Sequence, residues 1–308
     1  MKLLCMCCVA VSSLALAASW QIQETSQWSV RYKGAGTLSV MEGKAMNRDT
    51  VFDSSDQFAQ YTYELQDVTS HFWGVTTLLP ALILVQNSDA QGMLQVKPKP
   101  GITAFTQPVQ IVGSNASFKS ILVKAPRNAD QMVFGLMSGV ALMIDGDVEK
   151  FTTTGRLIGS MFAMRNVGLF ACRSSYYFIL LLGTPQQFIS NAYVDAEGSS
   201  NDLVTVSEGD LGTFKATETM QDTMIFAGCS PIIDTAMFTP ALTALYNTYP
   251  PSGTIGKIQA KSLCGVGRFN TAAAQWSPTC YIVGAARPEI KVPATHILTE
   301  GASVFINQ

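Results

Sequence analysis

The chain has few charged residues. Asp, Glu, Lys and Arg make up 14% of its 308 residues, against roughly 25% in ordinary soluble domains. The formal net charge is -2, and no block of like charges occurs. The sequence therefore gives no electrostatic reason to expect a nucleic acid as a ligand, and we predict none. With so little charge, the surface must consist largely of neutral polar residues or be covered by other proteins.

Histidine is also scarce, since His71 and His296 are the only two. Zinc sites are built from clusters of Cys and His, and neither a P-loop nor a dinucleotide-binding motif occurs, so we predict no metal ion and no cofactor. The seven cysteines do not fix the compartment. If an N-terminal signal carrying the first three were removed, an even number would remain, which fits either two disulfides or buried thiols. The four remaining cysteines would be Cys172, Cys229, Cys264 and Cys280.

The apolar run at residues 3–18 is short for a transmembrane helix, which needs about 20 residues. With Lys2 before it and small residues at Ala15 and Ala17, it is similar to a secretory signal. Two alternatives stay open. Cleavage would place the chain in the secretory pathway, whereas retention would fit a membrane-associated assembly in an organelle such as the mitochondrion. In the secretory case, Asn115 of an Asn-Ala-Ser sequon is a predicted glycosylation site.

Most of the sequence shows the short apolar runs of β-strands. We predict strands at residues 28–32, 37–41, 139–144, 176–182, 223–227 and 280–283. A hairpin is predicted at Asp145-Gly146. Helices are predicted at residues 78–86, 117–125, 239–246 and 254–263. The predicted organisation is an N-terminal segment (residues 1–20), one domain (21–290) and a C-terminal extension (291–308).

Five short segments stand where a metal-binding carboxylate would be expected, and none carries one there. They are Gly74-Val75-Thr76-Thr77, Thr153-Thr154-Gly155-Arg156, Cys172-Arg173-Ser174-Ser175-Tyr176-Tyr177, Ala227-Gly228-Cys229-Ser230 and Ser277-Pro278-Thr279-Cys280. Their order resembles that of the motifs in metal-dependent serine/threonine phosphatases of type 2C, the PPM family. An earlier segment, Asn47-Arg48-Asp49-Thr50-Val51-Phe52, is similar to the Asn-Glu-Asp-Ala-x-Phe opening of that family.

This resemblance implies an α+β fold in which two stacked antiparallel β-sheets are flanked by helices. In that family, carboxylates hold two divalent cations that activate water for attack on a phosphate. Here only Asp49 keeps an acid, and one acid cannot hold two cations. The resemblance therefore implies a pseudophosphatase that is not an enzyme. The degenerate motif positions are Arg48, Asp49, Thr76, Thr77, Thr154, Tyr177, Cys229 and Ser277.

From these residues we expect a non-catalytic scaffold or structural subunit of a larger complex, with other protein subunits as partners. Association with a membrane through the N-terminal run is a further expectation. Arg31 stands on an early strand, where the family can keep an arginine for the substrate phosphate. It is a candidate anion contact, with an exposed strand arginine as the alternative. Arg156 and Arg173 have the same two alternatives.

Two other hypotheses remain. The first is a secreted or virion-type all-β structural protein with disulfides, whose similarity to the phosphatase motifs is accidental. The second is an active metal-dependent phosphatase with a rearranged site. That site would be built from Asp49, Asp145, Asp147 and Asp234.

Overall fold

The computed structural model describes a large part of the chain, and within that part it is built almost entirely of β-strands. The described residues are 19–42, 71–72, 75–76, 81–86, 91–103, 107–127, 131–132, 134, 141–158, 160–176, 178–183, 209–229, 251–266, 268–270, 275–277, 280–300 and 304–306. The helical structure within these ranges is a single 3-10 turn at Ala294–His296.

Three sheets account for most strands, and sheet 1 has nine. In order across the sheet, its strands are β1 (Gln21–Glu24), β2 (Trp28–Lys33), β7 (Gly92–Pro98), β9 (Phe118–Val123), β12 (Val148–Thr153), β15 (Val167–Cys172), β18 (Leu211–Ala216), β21 (Ile255–Gln259) and β26 (Glu289–Lys291).

Sheet 2 also has nine strands. In order, they are β3 (Thr37–Met41), β6 (Ala81–Gln86), β8 (Val109–Ser114), β11 (Leu142–Ile144), β14 (Met161–Met164), β17 (Ile179–Leu182), β20 (Met224–Ala227), β25 (Cys280–Val283) and β28 (Val304–Ile306).

Sheet 3 has six strands. They are β10 (Gln131–Met132), β13 (Arg156–Ile158), β16 (Ser174–Tyr176), β19 (Thr219–Gln221), β22 (Ser262–Val266) and β27 (Ile297–Glu300). Two small antiparallel hairpins stand apart from the three sheets. They pair β4 (His71–Phe72) with β5 (Val75–Thr76), and β23 (Arg268–Asn270) with β24 (Gln275–Ser277).

The order of the strands along the chain defines a parallel β-helix. From β8 onward the chain passes through sheet 2, then sheet 1, then sheet 3, and repeats this circuit as a coil. Each strand pairs in parallel with the corresponding strand of the next coil, as β12 does with β15 and β14 does with β17. The apolar side chains of each coil pack against those of the coils on either side, so stacking produces one continuous core.

The N-terminal strands depart from this pattern because they pair antiparallel. β1 pairs with β2, β2 with β7, and β3 with β6. Side chains of β1 complete the arrangement, since the amides of Gln21 and Gln23 accept hydrogen bonds from the backbone N–H groups of Leu38 and Val40 at 3.0 and 2.8 Å. Through these pairs the antiparallel strands cover the edge that the first parallel coil would otherwise expose.

A ladder of aromatic rings fills the core. Phe151, Phe170 and Phe214 occupy the same register position on three successive strands of sheet 1. Their rings stack with centroid separations of 4.7 and 5.1 Å. Phe162 in β14 and Phe178 just before β17, both on the sheet 2 side, pack against this stack. Phe162 meets Phe151 edge to face at a centroid distance of 5.4 Å. All five side chains are fully buried.

The fold overturns the predicted α+β phosphatase architecture. In the described residues there are no flanking helices, and most strand pairs are parallel. The predicted helices at residues 78–86, 117–125 and 254–263 were wrong, because β6, β9 and β21–β22 occupy them. The predicted helix at 239–246 lies outside the described residues. The similarity to the type 2C phosphatase motifs therefore does not extend to the fold.

The predicted hairpin at Asp145-Gly146 was also wrong. Strands β11 and β12 do flank it, but they belong to sheets 2 and 1 and pair with other coils. Likewise, the predicted strand at residues 176–182 divides into β16 and β17, which lie in sheets 3 and 2. The strands predicted at 37–41 and 280–283 are confirmed as β3 and β25.

Candidate binding face on sheet 1

The outward faces of the three sheets differ sharply in charge. The strands of sheet 2 contain no charged residue, and those of sheet 3 contain only Arg156 and Glu300. The strands of sheet 1 contain eight cations and three carboxylates, a net charge of +5 in a chain whose overall charge is -2. The cations are Arg31, Lys33, Lys97, Lys119, Lys150, Lys215, Lys257 and Lys291.

The outer face of sheet 2 is shielded from solvent, whereas that of sheet 1 is open. A column of apolar side chains runs along the outside of sheet 2 and is buried throughout. Its members include Leu84, Val112, Met143, Leu181 and Phe226, each at most 8% exposed. On sheet 1 all eight cations are exposed or half-buried. Among the three described sheets, sheet 1 is thus the one whose outer face offers a ligand a large excess of positive charge.

Most of these cations have no carboxylate to neutralise them. Lys257 and Lys291 share Glu289, with N–O distances of 3.1 and 3.4 Å. Within the described part of the chain, the other six strand cations form no ion pair. This set comprises Arg31, Lys33, Lys97, Lys119, Lys150 and Lys215.

Strand register places the cations in rows along the axis of the β-helix. Lys215 and Lys291 belong to one row, with Gln259 of the intervening strand between them. Lys150 and Lys257 belong to a parallel row, separated by Leu169 and Thr213. With about 4.8 Å between strands, the paired positions lie about 10 and 14 Å apart. The face therefore repeats its positive charge along one direction.

At one point of this face a partly buried lysine, Lys97, lies close to two other cations. Partial burial, and then the nearby charges of Lys124 and Arg31, lower the pKa of Lys97 below its usual value. Arg31 and Lys97 lie on adjacent strands, and Lys124 follows β9 directly. An anion placed here would relieve the repulsion among the three cations. Arg31, predicted as an anion contact, is one of the eight cations of sheet 1, which together form a basic face.

A ladder of polar side chains holds sheet 1 in register. The residue before each of five successive strands hydrogen-bonds to its counterpart one coil away. Asp147 N donates to Ser117 Oγ at 3.1 Å, and Asn166 Nδ2 donates to Asp147 Oδ1 at 2.9 Å. Asp210 N donates to Asn166 Oδ1, and Thr254 N donates to Asp210 Oδ1, both at 2.8 Å.

Asp147 also receives a two-pronged contact from Arg165, with N–O distances of 2.9 and 3.1 Å. The hydrogen bonds from Arg165 hold the pKa of the Asp147 carboxyl below its usual value. Asp147 therefore stays ionised, as its place in the ladder requires. The ladder adds side-chain hydrogen bonds at the start of each strand to the backbone pairing that spaces the lysines of sheet 1.

A second charged group lies at the turn from sheet 1 to sheet 3. Glu218 accepts hydrogen bonds from Arg173 Nε at 2.9 Å and from Ser174 Oγ at 3.1 Å. Arg156, one coil further away, stands 3.6 Å from Glu218 through Nη2. The hydrogen bond from Arg173 is the main reason that the pKa of Glu218 is lowered. Arg156 and Arg173, predicted either as anion contacts or as structural groups, thus share one carboxylate.

The other predicted site residues do not come together in the described structure. Thr154 lies in the turn after β12 and accepts a hydrogen bond from Ala125 N at 3.0 Å, whereas Cys229 follows β20 of sheet 2. Thr76 lies in β5 and Ser277 in β24. Asn115 is exposed, with a φ of 46°, and its glycosylation stays a prediction. The predicted site residues Arg48, Asp49, Thr77 and Tyr177 lie outside the described residues.

The four cysteines outside the signal-like segment are free thiols in the structure, so the disulfides of the all-β hypothesis are not formed there. Cys172, Cys229 and Cys280 are buried. Burial raises the pKa of the Cys172 and Cys280 thiols to about 12 and that of Cys229 further still. Since the thiolate is the reactive form, these three residues behave as small apolar core residues.

Over the described ranges, no group of three or more His, Cys, Asp or Glu side chains is placed to hold a metal ion. Asp145 and Asp147, predicted members of a rearranged metal site, lie at the turn between sheets 2 and 1, where Asp147 is held by Arg165. Asp49 and Asp234 fall outside these ranges. No described helix is long and apolar enough to cross a membrane.

No protein-family model, curated protein or solved structure significantly matches the chain.

Proposed function

We propose that the chain is a non-catalytic structural protein that binds a linear acidic polysaccharide along the outer face of sheet 1. The observation that carries this proposal is the net charge of +5 on the strands of one open sheet, in a chain with an overall charge of -2. If charge were spread evenly over the chain, the strands of sheet 1 would carry a net charge close to zero. A face of one sign attracts a polymer of the opposite sign and raises its association rate.

An extended ligand fits the repeat of the face better than a compact one. The basic positions recur at multiples of the strand spacing, about 4.8 Å. A linear chain of sugars presents carboxylates or sulfates at a similarly regular spacing. Half-buried neutral groups between the lysines, such as Gln95, Thr213 and Gln259, supply donors and acceptors for sugar hydroxyls.

The same face suits nucleic acids less well. Single-stranded nucleic acids are held by stacking on aromatic side chains. On the described strands of sheet 1 the aromatic residues all point into the core, as Trp28, Tyr32, Phe118 and Phe214 do. A flat sheet face also offers no helix or ribbon to enter a duplex groove. The signal-like residues 3–18 agree with this choice, since acidic polysaccharides are chiefly extracellular.

A triple variant tests the proposal. Lys119→Gln, Lys150→Gln and Lys215→Gln together remove three exposed, unpaired cations from three strands of sheet 1. We expect the affinity for polygalacturonate or heparin to fall about tenfold or more, which corresponds to about 1.4 kcal/mol. Binding is measured by isothermal titration at low and at physiological salt. The wild type should bind more weakly as salt is raised, because salt screens the charges.

The matched control is Arg127→Gln, Lys261→Gln and Arg287→Gln, which removes the same charge from exposed turns. This control should bind nearly as the wild type does. Equal losses in both triple variants would show that net charge acts without regard to the face. Stronger binding to duplex DNA, to anionic vesicles or to an acidic protein than to either polysaccharide would refute the proposed ligand class. Failure of the wild type to bind any polyanion would refute the proposal entirely.

A further inference from the structure

Arg156, the first residue of β13, stands beside the turn between sheets 1 and 3 and uses little of its hydrogen-bonding capacity. A guanidinium has five N–H donors. Arg156 Nε is buried, and none of the described residues offers it an acceptor within hydrogen-bonding distance. The remaining charged contact, from Nη2 to Glu218 at 3.6 Å, is too long for a good hydrogen bond. The side chain as a whole is nevertheless 34% exposed, so part of it can be reached from solvent.

The surroundings of Arg156 show which ligand it would accept. Arg156 pairs in register with Ser174 of the next coil, and the guanidinium of Arg173 lies at the same turn. Two guanidinium groups therefore meet one carboxylate, that of Glu218, which gives the group a net charge of +1. Glu218 is itself committed to Arg173 and Ser174 by bonds of 2.9 and 3.1 Å. Arg156 is left with the weaker share of that carboxylate.

We infer that Arg156 is the receiving group of a carboxylate-binding site at this turn, and that Glu218 competes with the external carboxylate. A planar guanidinium matches a carboxylate through two parallel N–H···O bonds, a geometry that lysine lacks. The site does not depend on the basic face of sheet 1, because none of its three charged side chains belongs to that face.

The test follows the arginine Nε–H resonances of the full chain by NMR while D-galacturonate is added. We expect the Arg156 resonance to move with a saturable midpoint. D-Galactose, which lacks the carboxylate, should leave it unmoved. In Glu218→Gln the competing charge is gone but a similar shape remains, so the midpoint should fall severalfold. In Arg156→Lys, the resonance of Arg173 serves as the reporter, and its response should weaken.

Two controls separate this inference from the polysaccharide proposal. Arg127→Gln, at an exposed turn, should titrate as the wild type does. So should the sheet 1 triple variant Lys119→Gln, Lys150→Gln and Lys215→Gln, whatever its affinity for polymers. An unmoved Arg156 resonance at high galacturonate would overturn the inference. An equal response to galactose, or a Glu218→Gln midpoint that is unchanged or higher, would overturn it as well.

Discussion

Replacing Phe170 with alanine should lower the free energy of unfolding by about 3–5 kcal/mol. Phe170 is fully buried and stands in the middle of the aromatic ladder, with ring centroids 4.7 Å from Phe151 and 5.1 Å from Phe214. Truncation removes apolar area from the core and leaves a cavity between two coils, which neighbouring coils cannot close without breaking their register. Urea denaturation followed by circular dichroism measures the loss.

The matched control is Leu169→Ala, because Leu169 precedes Phe170 on β15 but is only half-buried on the outer face. It should cost much less. Phe170→Leu, which keeps most of the volume, should cost less than about 1.5 kcal/mol if the core repacks. Equal losses for Leu169→Ala and Phe170→Ala would contradict the inward position assigned to the phenylalanine.

Replacing Gly212 with alanine should also destabilise the fold, by about 1–3 kcal/mol, although the position is exposed. Gly168, Gly212 and Gly256 occupy equivalent positions on three successive strands of sheet 1. A Cβ built on Gly212 lies 2.4 Å from the carbonyl oxygen of Gly168, and one built on Gly256 lies 2.6 Å from that of Gly212. Because the obstacle is backbone, it cannot move aside without separating the coils.

Thr213→Ala, at the next residue of the same strand, is the control and should be nearly neutral. Thermal unfolding of the two variants gives the comparison directly. A Gly212→Ala protein as stable as the Thr213→Ala protein would show that the coils do not approach as closely as this account requires.

The sequence predicted several individual strands correctly and the way they associate incorrectly. The reason lies in the strands of sheet 1, where two successive outward residues follow the first inward one. In β9 the buried residues are Phe118, Ile121 and Val123, and in β21 with the following turn they are Ile255, Ile258 and Ala260. Intervals of three and then two residues resemble the spacing of one helix face. The spacing therefore does not exclude the helices that were predicted at both places.

The repeat itself was hidden by unequal coil lengths. An apolar-Gly-x-apolar pattern is shared by the segments Val167–Cys172, Leu211–Ala216 and Ile255–Gln259. Their first residues are 44 positions apart, whereas β12 begins much closer to β15. A search for glycine between inward positions could have found three of the coils. No local pattern reveals that the strands stack in parallel, because that depends on pairing between distant residues.

The basic face was missed because charge was counted over the whole chain. Residues of the described ranges carry an excess of cations, while the remaining segments are acidic, so the net charge of -2 conceals the contrast. Arg31 was predicted as an anion contact from the resemblance to the phosphatases, which the fold contradicts. It nevertheless lies on the basic face, because β2 pairs with β7 in sheet 1. Only the fold places Lys119, Lys150 and Lys215 on one surface.

Lysine footprinting in the presence of polygalacturonate tests the central claim most directly. The protein is acetylated with and without the polymer, and the modified lysines are quantified by mass spectrometry. The account predicts that the reactivity of Lys119, Lys150 and Lys215 falls severalfold while that of Lys261, an exposed lysine at a turn, changes little. Uniform protection of all four lysines, or protection of Lys261 alone, would contradict a polyanion held along the outer face of sheet 1.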